Sequence, residues 1–250
     1  MERTAAIVRG RRERGLDAVV VVSAMAKVTD HLLAAAAAAG RDDKAGALAI
    51  SARLRHRHID TAADLLDEER VERLHSTIHH EFDALDDLLR GIAAVGELTA
   101  RTNDLVVSFG ERLSSRMVAA AFEQRGLNGA HVDARTCIIT DSHYGKAAPQ
   151  EAAIEAKLAE LVLPLIVAGK TPVMGGFIGS NAEGITTTLG RGGSDYTAAL
   201  VGGGLHAGAI EIWTDVDGIM TTDPRICPDA LRVKTISFEE AAELAYFGAK

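Results

Sequence analysis

The sequence predicts an α/β protein, a three-layer α/β/α sandwich with a mostly parallel central sheet and a helical insertion. Residues 17–23 contain four consecutive valines without polar alternation, a pattern typical of a strand covered on both faces. Further short apolar runs alternate with segments of helical length as far as Trp213, which favours a parallel sheet flanked by helices. The 250 residues are 47% hydrophobic and 25% charged, as expected for a globular chain with a substantial core.

Apolar spacing predicts the elements of the first half in order. Residues 3–14 are expected to form a surface helix, and the strand at 17–23 leads through a polar turn into an Ala-rich helix at 30–39. Between residues 42 and 91 apolar side chains recur at three- and four-residue steps, which indicates two or more long helices inserted into the domain. A further helix is predicted at 103–125, where Gly110 indicates that another group approaches the backbone closely.

The second half is predicted to alternate between shorter strands and helices. The expected helices lie at residues 151–163 and 196–206, the second of them buried. The expected strands lie at residues 131–133, 137–139, 173–178, 183–189 and 209–213.

Composition and charge exclude several classes of function. Lys plus Arg number 27 and Asp plus Glu 35, giving a net charge of −8, which argues against general nucleic-acid binding. No run approaches the ~20 apolar residues that cross a bilayer, so no membrane association is expected. Cys137 and Cys227 are too few for a disulfide framework and fit a reducing cytoplasm.

The strongest local signal is the glycine-rich run that precedes the helix predicted at 196–206. Gly190, Gly192 and Gly193 would let backbone amides approach an anion, and Arg191 supplies a guanidinium beside them. A Walker-type loop ending at Gly169-Lys170-Thr171 is excluded because Pro164 stands where its first glycine would be. A dinucleotide fingerprint is excluded because Asp195 replaces its last glycine. An ordinary glycine-rich turn remains the alternative.

Two further segments carry acidic and hydroxyl side chains in turns or beside a glycine. Glu111 follows Gly110 and could accept a hydrogen bond from a substrate ammonium group, or could be a solvated helix acid. Residues 213–218 and 221–225 have the pattern of two turns that could surround a nucleotide, or could be ordinary acidic turns.

Taken together, these segments resemble the catalytic domain of aspartate kinase, within the amino-acid kinase family. The matching stretches are 19–25, 108–115, 176–179, 186–199, 213–216, 221–225 and 247–250. The resemblance covers nearly the whole chain and is weakest in the helical stretch at 42–91. It implies ATP-dependent phosphorylation of the L-aspartate β-carboxylate, the entry to lysine, threonine and methionine synthesis.

The resemblance also implies roles for individual residues. Asp195 and Arg191 are expected to act in catalysis, with Arg191 also holding a substrate carboxylate and Glu111 the α-ammonium group. The remaining substrate-binding residues are expected to be Ser23, Thr29 and Ser194. The nucleotide-binding residues are expected to be Gly192, Gly193, Thr214, Asp215, Met220, Arg225 and Lys250. Mg²⁺ is expected to be held by ATP oxygens and water, without a dedicated protein ligand.

Family members begin with a strand bearing Lys-Phe-Gly-Gly-Thr/Ser and continue into regulatory ACT domains, and neither is found in this sequence. We therefore expect residues 1–250 to be an N-terminally truncated catalytic domain, with an insertion at about 42–91, that is weakly active or inactive alone. A homodimer or higher homo-oligomer is expected. Two alternatives stay open: another amino-acid kinase acting on glutamate, acetylglutamate or UMP, and a non-catalytic nucleotide-binding or assembly module.

Overall fold

A three-stranded parallel sheet organises the fold in the computed structural model, which describes residues 1–213, 218–224 and 226–246. Its strands are β1 (Val20–Val22), β2 (Gly129–Val132) and β3 (Thr171–Gly175), in the order β1-β3-β2. Val22 pairs with Gly175, and Val132 pairs with Met174. All five residues of the central strand β3 are buried. The predicted α/β class is confirmed.

Helices and a small hairpin complete the described elements. The helices are α1 (Glu2–Arg12), α2 (Val28–Ala39), α3 (Lys44–Leu65), α4 (Glu68–Val95), α5 (Ala100–Gln124), α6 (Glu151–Leu161), α7 (Leu163–Val167), α8 (Gly193–Gly204) and α9 (Phe238–Tyr246). Strands β4 (Ile178–Ser180) and β5 (Thr186–Thr188) pair antiparallel. A 3-10 turn spans Ala134–Thr136.

The alternation of side chains along β3 explains why helices lie on both faces of the sheet. Val173 belongs to an apolar cluster with Val8 of α1 and Phe122 of α5. Met174, the next residue, belongs to a second cluster with Leu158 of α6 and Val201 of α8. Successive side chains of a strand point to opposite faces, so the two clusters form the two interfaces of the three predicted layers.

The long helices of the first half share one large core. Helices α2, α3, α4 and α5 all contribute buried side chains to the same cluster, among them Leu32, Leu54, Leu85 and Val106. Asp43 and Asp67 cap the starts of α3 and α4 by accepting hydrogen bonds from Gly46 N and Arg70 N. The predicted long helices between residues 42 and 91 are thus present as α3 and α4, packed directly on the helices that flank them.

Four predicted elements of the second half are corrected. Residues 137–139 form only an isolated parallel bridge, between Ile139 and Ser180, because the Asp133 carboxylate caps the 3-10 turn and Ile138 N donates back to Ala134 O. The strand predicted at 173–178 ends at Gly175, because Phe177 adopts φ +66° and redirects the chain into β4. Residues 209–213 pair with no strand among the described residues. The helix predicted at 196–206 begins three residues earlier, at Gly193, and is only partly buried.

The chain divides into two compact units, Met1–Ile210 and Glu211–Lys250. The sheet, the hairpin and helices α1 to α8 belong to the first unit, whereas α9 belongs to the second. Within the described ranges, no helix combines the length and the apolarity that a membrane crossing requires.

Candidate active site

The carboxyl ends of β1 and β3 meet helix α5 through a short series of hydrogen bonds. Gly176 N donates to Val22 O at 2.8 Å, immediately after the two strands end. The Ser114 hydroxyl of α5 donates to Ser23 O at 2.8 Å, and Ala24 N donates to Glu111 Oε1 at 3.3 Å. Ligands of open α/β sheets bind beyond the carboxyl ends of the strands, so this junction is the candidate site.

Two adjacent glycines at the end of β3 bring α5 and α8 together. A Cβ atom placed on Gly175 would lie 2.9 Å from both Cβ and O of Glu111. A Cβ atom placed on Gly176 would lie 2.6 Å from Cα of Ser194. Because consecutive Cα atoms are only about 3.8 Å apart, Glu111 and Ser194 flank the same short piece of backbone. Here glycine is required for close approach.

Glu111 is a buried carboxyl group with unused hydrogen-bonding capacity. The residue is 3% exposed, and its Oε2 atom has no hydrogen-bond partner. Burial raises the pKa of the Glu111 carboxyl to about 7, and the hydrogen bond from Ala24 N only partly opposes this rise. A group of this kind can accept a hydrogen bond from a buried cation, which would restore its charged form.

Gly110, which has no side chain, lets another segment of the chain approach helix α5 closely beside Glu111. A Cβ atom on Gly110 would lie 2.8 Å from the Ala24 Cβ atom and 3.2 Å from Val28 Cγ1. The group that approaches the backbone of α5 is therefore the connection between β1 and α2. The predicted close approach at Gly110 is confirmed, and it seats residues 23–28 against α5.

The glycine-rich run forms the start of α8. Gly192 is the N-cap residue of this helix with φ +71°, and Gly190 has φ +80°. Gly193 is buried against Phe177, whose Cδ2 atom would lie 2.8 Å from an added Cβ. Arg191 and Asp195 are exposed on this turn. Gly193 N donates to Gly190 O at 3.0 Å. The helix dipole and the remaining amides at such a terminus favour an anion, and Arg191 follows Gly190 in this loop.

Asp104 supports this loop and was not identified from the sequence. Its carboxylate, 1% exposed, accepts hydrogen bonds from Thr188 Oγ1 at 2.8 Å, Thr188 N at 3.0 Å and Gly145 N at 2.8 Å. Burial raises the pKa of Asp104 despite these three bonds. The Gly145 carbonyl oxygen would in turn lie 3.3 Å from a Cβ on Gly190. No local sequence signal distinguishes Asp104 from other polar residues of an amphipathic helix.

The structure brings several of the predicted site residues to one place. Ser23, Glu111 and Ser194 surround the ends of β1 and β3, and Gly192 and Gly193 continue from Ser194 at the start of α8. Thr29 is half-buried in the first turn of α2. Met220 lies in the second unit, where it forms a β-bridge with Arg232. Thr214, Asp215, Arg225 and Lys250 lie outside the described residues.

The described acidic side chains of the site are too scattered to hold a metal ion by themselves. Among the residues that the structure describes, no three His, Cys, Asp or Glu side chains cluster in an arrangement that could hold one. In nucleotide-dependent enzymes, Mg²⁺ is coordinated by phosphate oxygens of the nucleotide, by water and by one or two carboxylates of the protein. The exposed Asp195 at the α8 terminus is compatible with that mode, in which the nucleotide supplies most ligands.

Comparison with known proteins places these features in one family. The model of the amino acid kinase family matches residues 1–250. Lysine-sensitive aspartokinase 3 of Escherichia coli (strain K12) is 40% identical over 240 residues, covering 93% of this chain and 50% of the relative. The chloroplastic aspartokinase 3 of Arabidopsis thaliana is 39% identical over 245 residues, covering 93% of this chain and 41% of the relative. The chain thus spans about half the length of these relatives or less.

A solved structure agrees with the sequence relatives. The crystal structure of E. coli aspartokinase III in complex with aspartate and ADP superposes with a TM-score of 0.89 at 34% sequence identity. The match covers 99% of this chain and 53% of that one. The likeness therefore includes the helical stretch at 42–91, where the resemblance seen in the sequence is weakest.

Proposed function

The chain belongs to the amino acid kinase family, and on that premise we propose that it phosphorylates the β-carboxylate of L-aspartate with ATP to give 4-phospho-L-aspartate. The similarity to aspartokinases supports this substrate. The observation that carries the proposal within the site is the buried, unpartnered Oε2 atom of Glu111. We further propose that residues 1–250 act as the catalytic domain of this reaction.

Glu111 and Arg191 give the site opposite charges for an amino acid. Glu111 would hold the α-ammonium group, and its burial would make that ion pair stronger than one in water. Arg191 would hold a carboxylate through its guanidinium fork. The hydroxyl groups of Ser23, Thr29 and Ser194 would complete the substrate contacts.

The start of α8 is proposed to receive the phosphates of ATP. The backbone of Gly192 and Gly193 lies at the helix terminus, where amides and dipole attract negative charge. We assign the other nucleotide contacts to the residues implied by the family: Thr214, Asp215, Met220, Arg225 and Lys250. Mg²⁺ would neutralise phosphate charge while held mainly by ATP oxygens and water, with Asp195 as the nearby carboxylate.

The chemistry needs positioning and charge neutralisation more than a base. The β-carboxylate of aspartate has an ordinary pKa near 3.9 and is already ionised at neutral pH, so one of its oxygens can attack directly. That oxygen forms a bond to the γ-phosphorus as the bond to the bridging oxygen of ADP breaks. Arg191 would stabilise charge on the transferred group, and Asp195 would organise the transfer centre.

The proposal is tested by calorimetric titration of L-aspartate into the 250-residue chain at pH 8, with Mg²⁺ and a non-hydrolysable ATP analogue present. We expect saturable binding that weakens by about thirtyfold or more in Glu111→Gln, because truncating a buried charge pair costs at least about 2 kcal/mol. Glu97→Gln is the matched control, since Glu97 is an exposed carboxylate outside the site. Equal weakening in both variants would contradict the assignment of Glu111.

A coupled ADP-release assay separates the alternatives. Aspartate-dependent turnover that glutamate, acetylglutamate and UMP do not support would identify an aspartate kinase. Absence of aspartate-dependent turnover, together with ATP binding measured at equilibrium, would identify a nucleotide-binding module instead. The same assay measures the low activity predicted for this chain. We also propose a cytoplasmic location and a homo-oligomeric state. Light scattering of the purified chain measures the oligomeric state.

A further inference from the structure

The connection from β1 to α2 contains a strained turn at the substrate end of the proposed site. Val28 N donates to Met25 O at 2.9 Å and closes the four-residue turn Met25–Val28. Lys27 has φ 62° and ψ 4°, the conformation that a type II turn requires at its third residue. That position normally holds glycine or asparagine, because a Cβ atom makes left-handed backbone unfavourable. Lys27 therefore needs an outside contact to hold it there.

Arg57 of α3 supplies such a contact. Its Nη1 atom donates to the Ala26 carbonyl oxygen at 2.8 Å, across 31 residues of sequence. The Ala26 carbonyl belongs to the central peptide of the turn, which rotates by about 150° between the type II and the type I conformations. A type I turn needs no positive φ, but it would point this carbonyl away from its present direction. The charge-assisted hydrogen bond from Arg57 thus favours the strained form over the relaxed one.

The other hydrogen-bonding anchors of this connection lie on α5 and hold its first part, whereas Met25 and Val28 are held by apolar packing. Ser114 holds the Ser23 carbonyl, and Glu111 accepts from Ala24 N. Neither contact reaches the central peptide of the turn. Arg57 holds the stretch between Ala24 and the first turn of α2, where Thr29 lies.

We propose that Arg57 is a positioning residue that holds the Met25–Val28 turn in its strained form, between Ser23 and Thr29 at the substrate end of the site. Arg57 does not touch the substrate. Its effect passes through the Ala26 carbonyl to the backbone that carries the two hydroxyl side chains. The proposal rests on the function proposed above, because the turn can affect substrate binding only if aspartate binds beside it.

Hydrogen exchange measured by mass spectrometry on the 250-residue chain tests the local contact. In Arg57→Met, we expect amides of residues 24–28 to exchange about tenfold faster or more, while the helices keep their protection. Arg57→Lys, which retains a donor, should show a smaller change. Arg53→Met is the matched control, because Arg53 is exposed one turn earlier on the same helix. Unchanged exchange at residues 24–28 in Arg57→Met would overturn the proposal.

Aspartate binding tests the consequence for the site. We expect the Kd for L-aspartate to rise about tenfold in Arg57→Met, to recover in part in Arg57→Lys and to stay unchanged in Arg53→Met. ATP-analogue affinity should not change, since a general loss of structure would weaken both ligands. Faster exchange with unchanged aspartate affinity would reduce Arg57 to a structural residue and overturn the proposal.

Lys27→Gly provides a second test that does not depend on loss of function. Glycine adopts the left-handed conformation without the Cβ penalty, so the turn should hold its form without Arg57. We therefore expect Arg57→Met to raise the Kd by less than about threefold in the Lys27→Gly background, against about tenfold in the native one. Equal effects in both backgrounds would overturn the proposal. If the unsubstituted chain does not bind aspartate, the proposed function fails and this proposal with it, and that result needs no variant.

Discussion

Glu111 makes the folded chain less stable as the pH rises towards neutrality. Its pKa is 4.5 in an ordinary environment and about 7 in the fold, so between these values the unfolded chain has released a proton that the folded chain keeps. The folded state is therefore favoured by protonated Glu111 below about pH 4.5, and this advantage is lost as the pH rises through about 7. The rise in pKa corresponds to about 3 kcal/mol at most. A buried carboxyl group with this energetic cost is expected at a site where a bound ligand offsets that cost.

We predict that Glu111→Gln raises the free energy of unfolding at pH 8 by about 1–3 kcal/mol and changes it little at pH 4.5. The neutral amide fills the same space and avoids the burial of a charge. Denaturant titrations at the two pH values measure the difference. A larger stabilisation at pH 4.5 than at pH 8 would show that Glu111 has no raised pKa.

Aspartate affinity should depend on pH through the same carboxyl group. Because the substrate ammonium pairs with ionised Glu111, we predict that the Kd for L-aspartate rises about tenfold from pH 8 to pH 6. His131 does not contribute, since burial, reinforced by the positive charge of Arg116, lowers its pKa to about 4. Calorimetry across this range measures the effect, and Glu111→Gln should give a flat profile. A native profile without pH dependence would contradict the assignment.

Individual residues of the site were predictable only where a local pattern marked them. Glu111 follows a glycine inside a helix, which is unusual enough to indicate close packing. Asp104 and Arg57 act through partners 84 and 31 residues away, and nothing near them in sequence marks those contacts. Arg191 lies in the expected loop, whereas Thr29 lies inside α2 and not in the polar turn expected before it. The contacts of both residues with ligands stay predictions.

Helix α5 connects the sheet to the long helices. It contributes Val106 and Leu113 to the large helical core and Phe122 to the cluster around Val173. Gly110 lies where α5 passes the connection between β1 and α2. A displacement of this contact would move both Ala24 and the carboxyl group with which it hydrogen-bonds.

Gly110→Ala should therefore destabilise the chain although alanine favours helices. An added Cβ would lie 2.8 Å from the Ala24 Cβ atom, and overpacking costs about 1–3 kcal/mol, which exceeds the gain in helix propensity of about 1 kcal/mol. Gly91→Ala in α4 is the control, since no atom lies within 4 Å of its added Cβ, and it should stabilise by up to about 1 kcal/mol. Thermal unfolding compares the two. Stabilisation by both substitutions would refute the close contact at Gly110.

Elements were predictable from the sequence where their periodicity was long. The helices α3, α4 and α5 span 22, 28 and 25 residues, and their apolar spacing repeats over many turns. The strands contain only three to five residues, too few for a period to separate a strand from a turn. At residues 137–138 the 3-10 turn capped by Asp133 interrupted the apolar run, and Ile139 forms only an isolated bridge. At Phe177 a positive φ ended a strand that the composition would have continued.

The hydrophobic clusters that the structure describes belong to one of the two compact units. All members of the three buried apolar clusters lie between Met1 and Leu205. The sequence predicted helices on both faces of a parallel sheet. It did not predict the order β1-β3-β2, because that order depends on contacts between strands separated by more than a hundred residues.

We predict that a chain of residues 1–210 folds cooperatively and keeps most of the helical circular dichroism of the full chain, because the described members of the three buried clusters all lie within it. Its melting temperature should fall within a few degrees of that of the 250-residue chain. Circular dichroism and thermal unfolding of both chains measure this. A non-cooperative transition in the shorter chain would show that the second unit is required for folding.

The close contacts of Gly175 and Gly176 have a consequence for any attempt to redesign the specificity of this protein. At the end of β3 the backbone meets Glu111 of α5 and Ser194 of α8 directly, and a single methyl group added at either glycine would force them apart. Libraries aimed at a longer or shorter acidic substrate should therefore leave both positions fixed and diversify the side chains that reach in from the surrounding loops. Substitutions at either glycine would give mostly variants that do not fold.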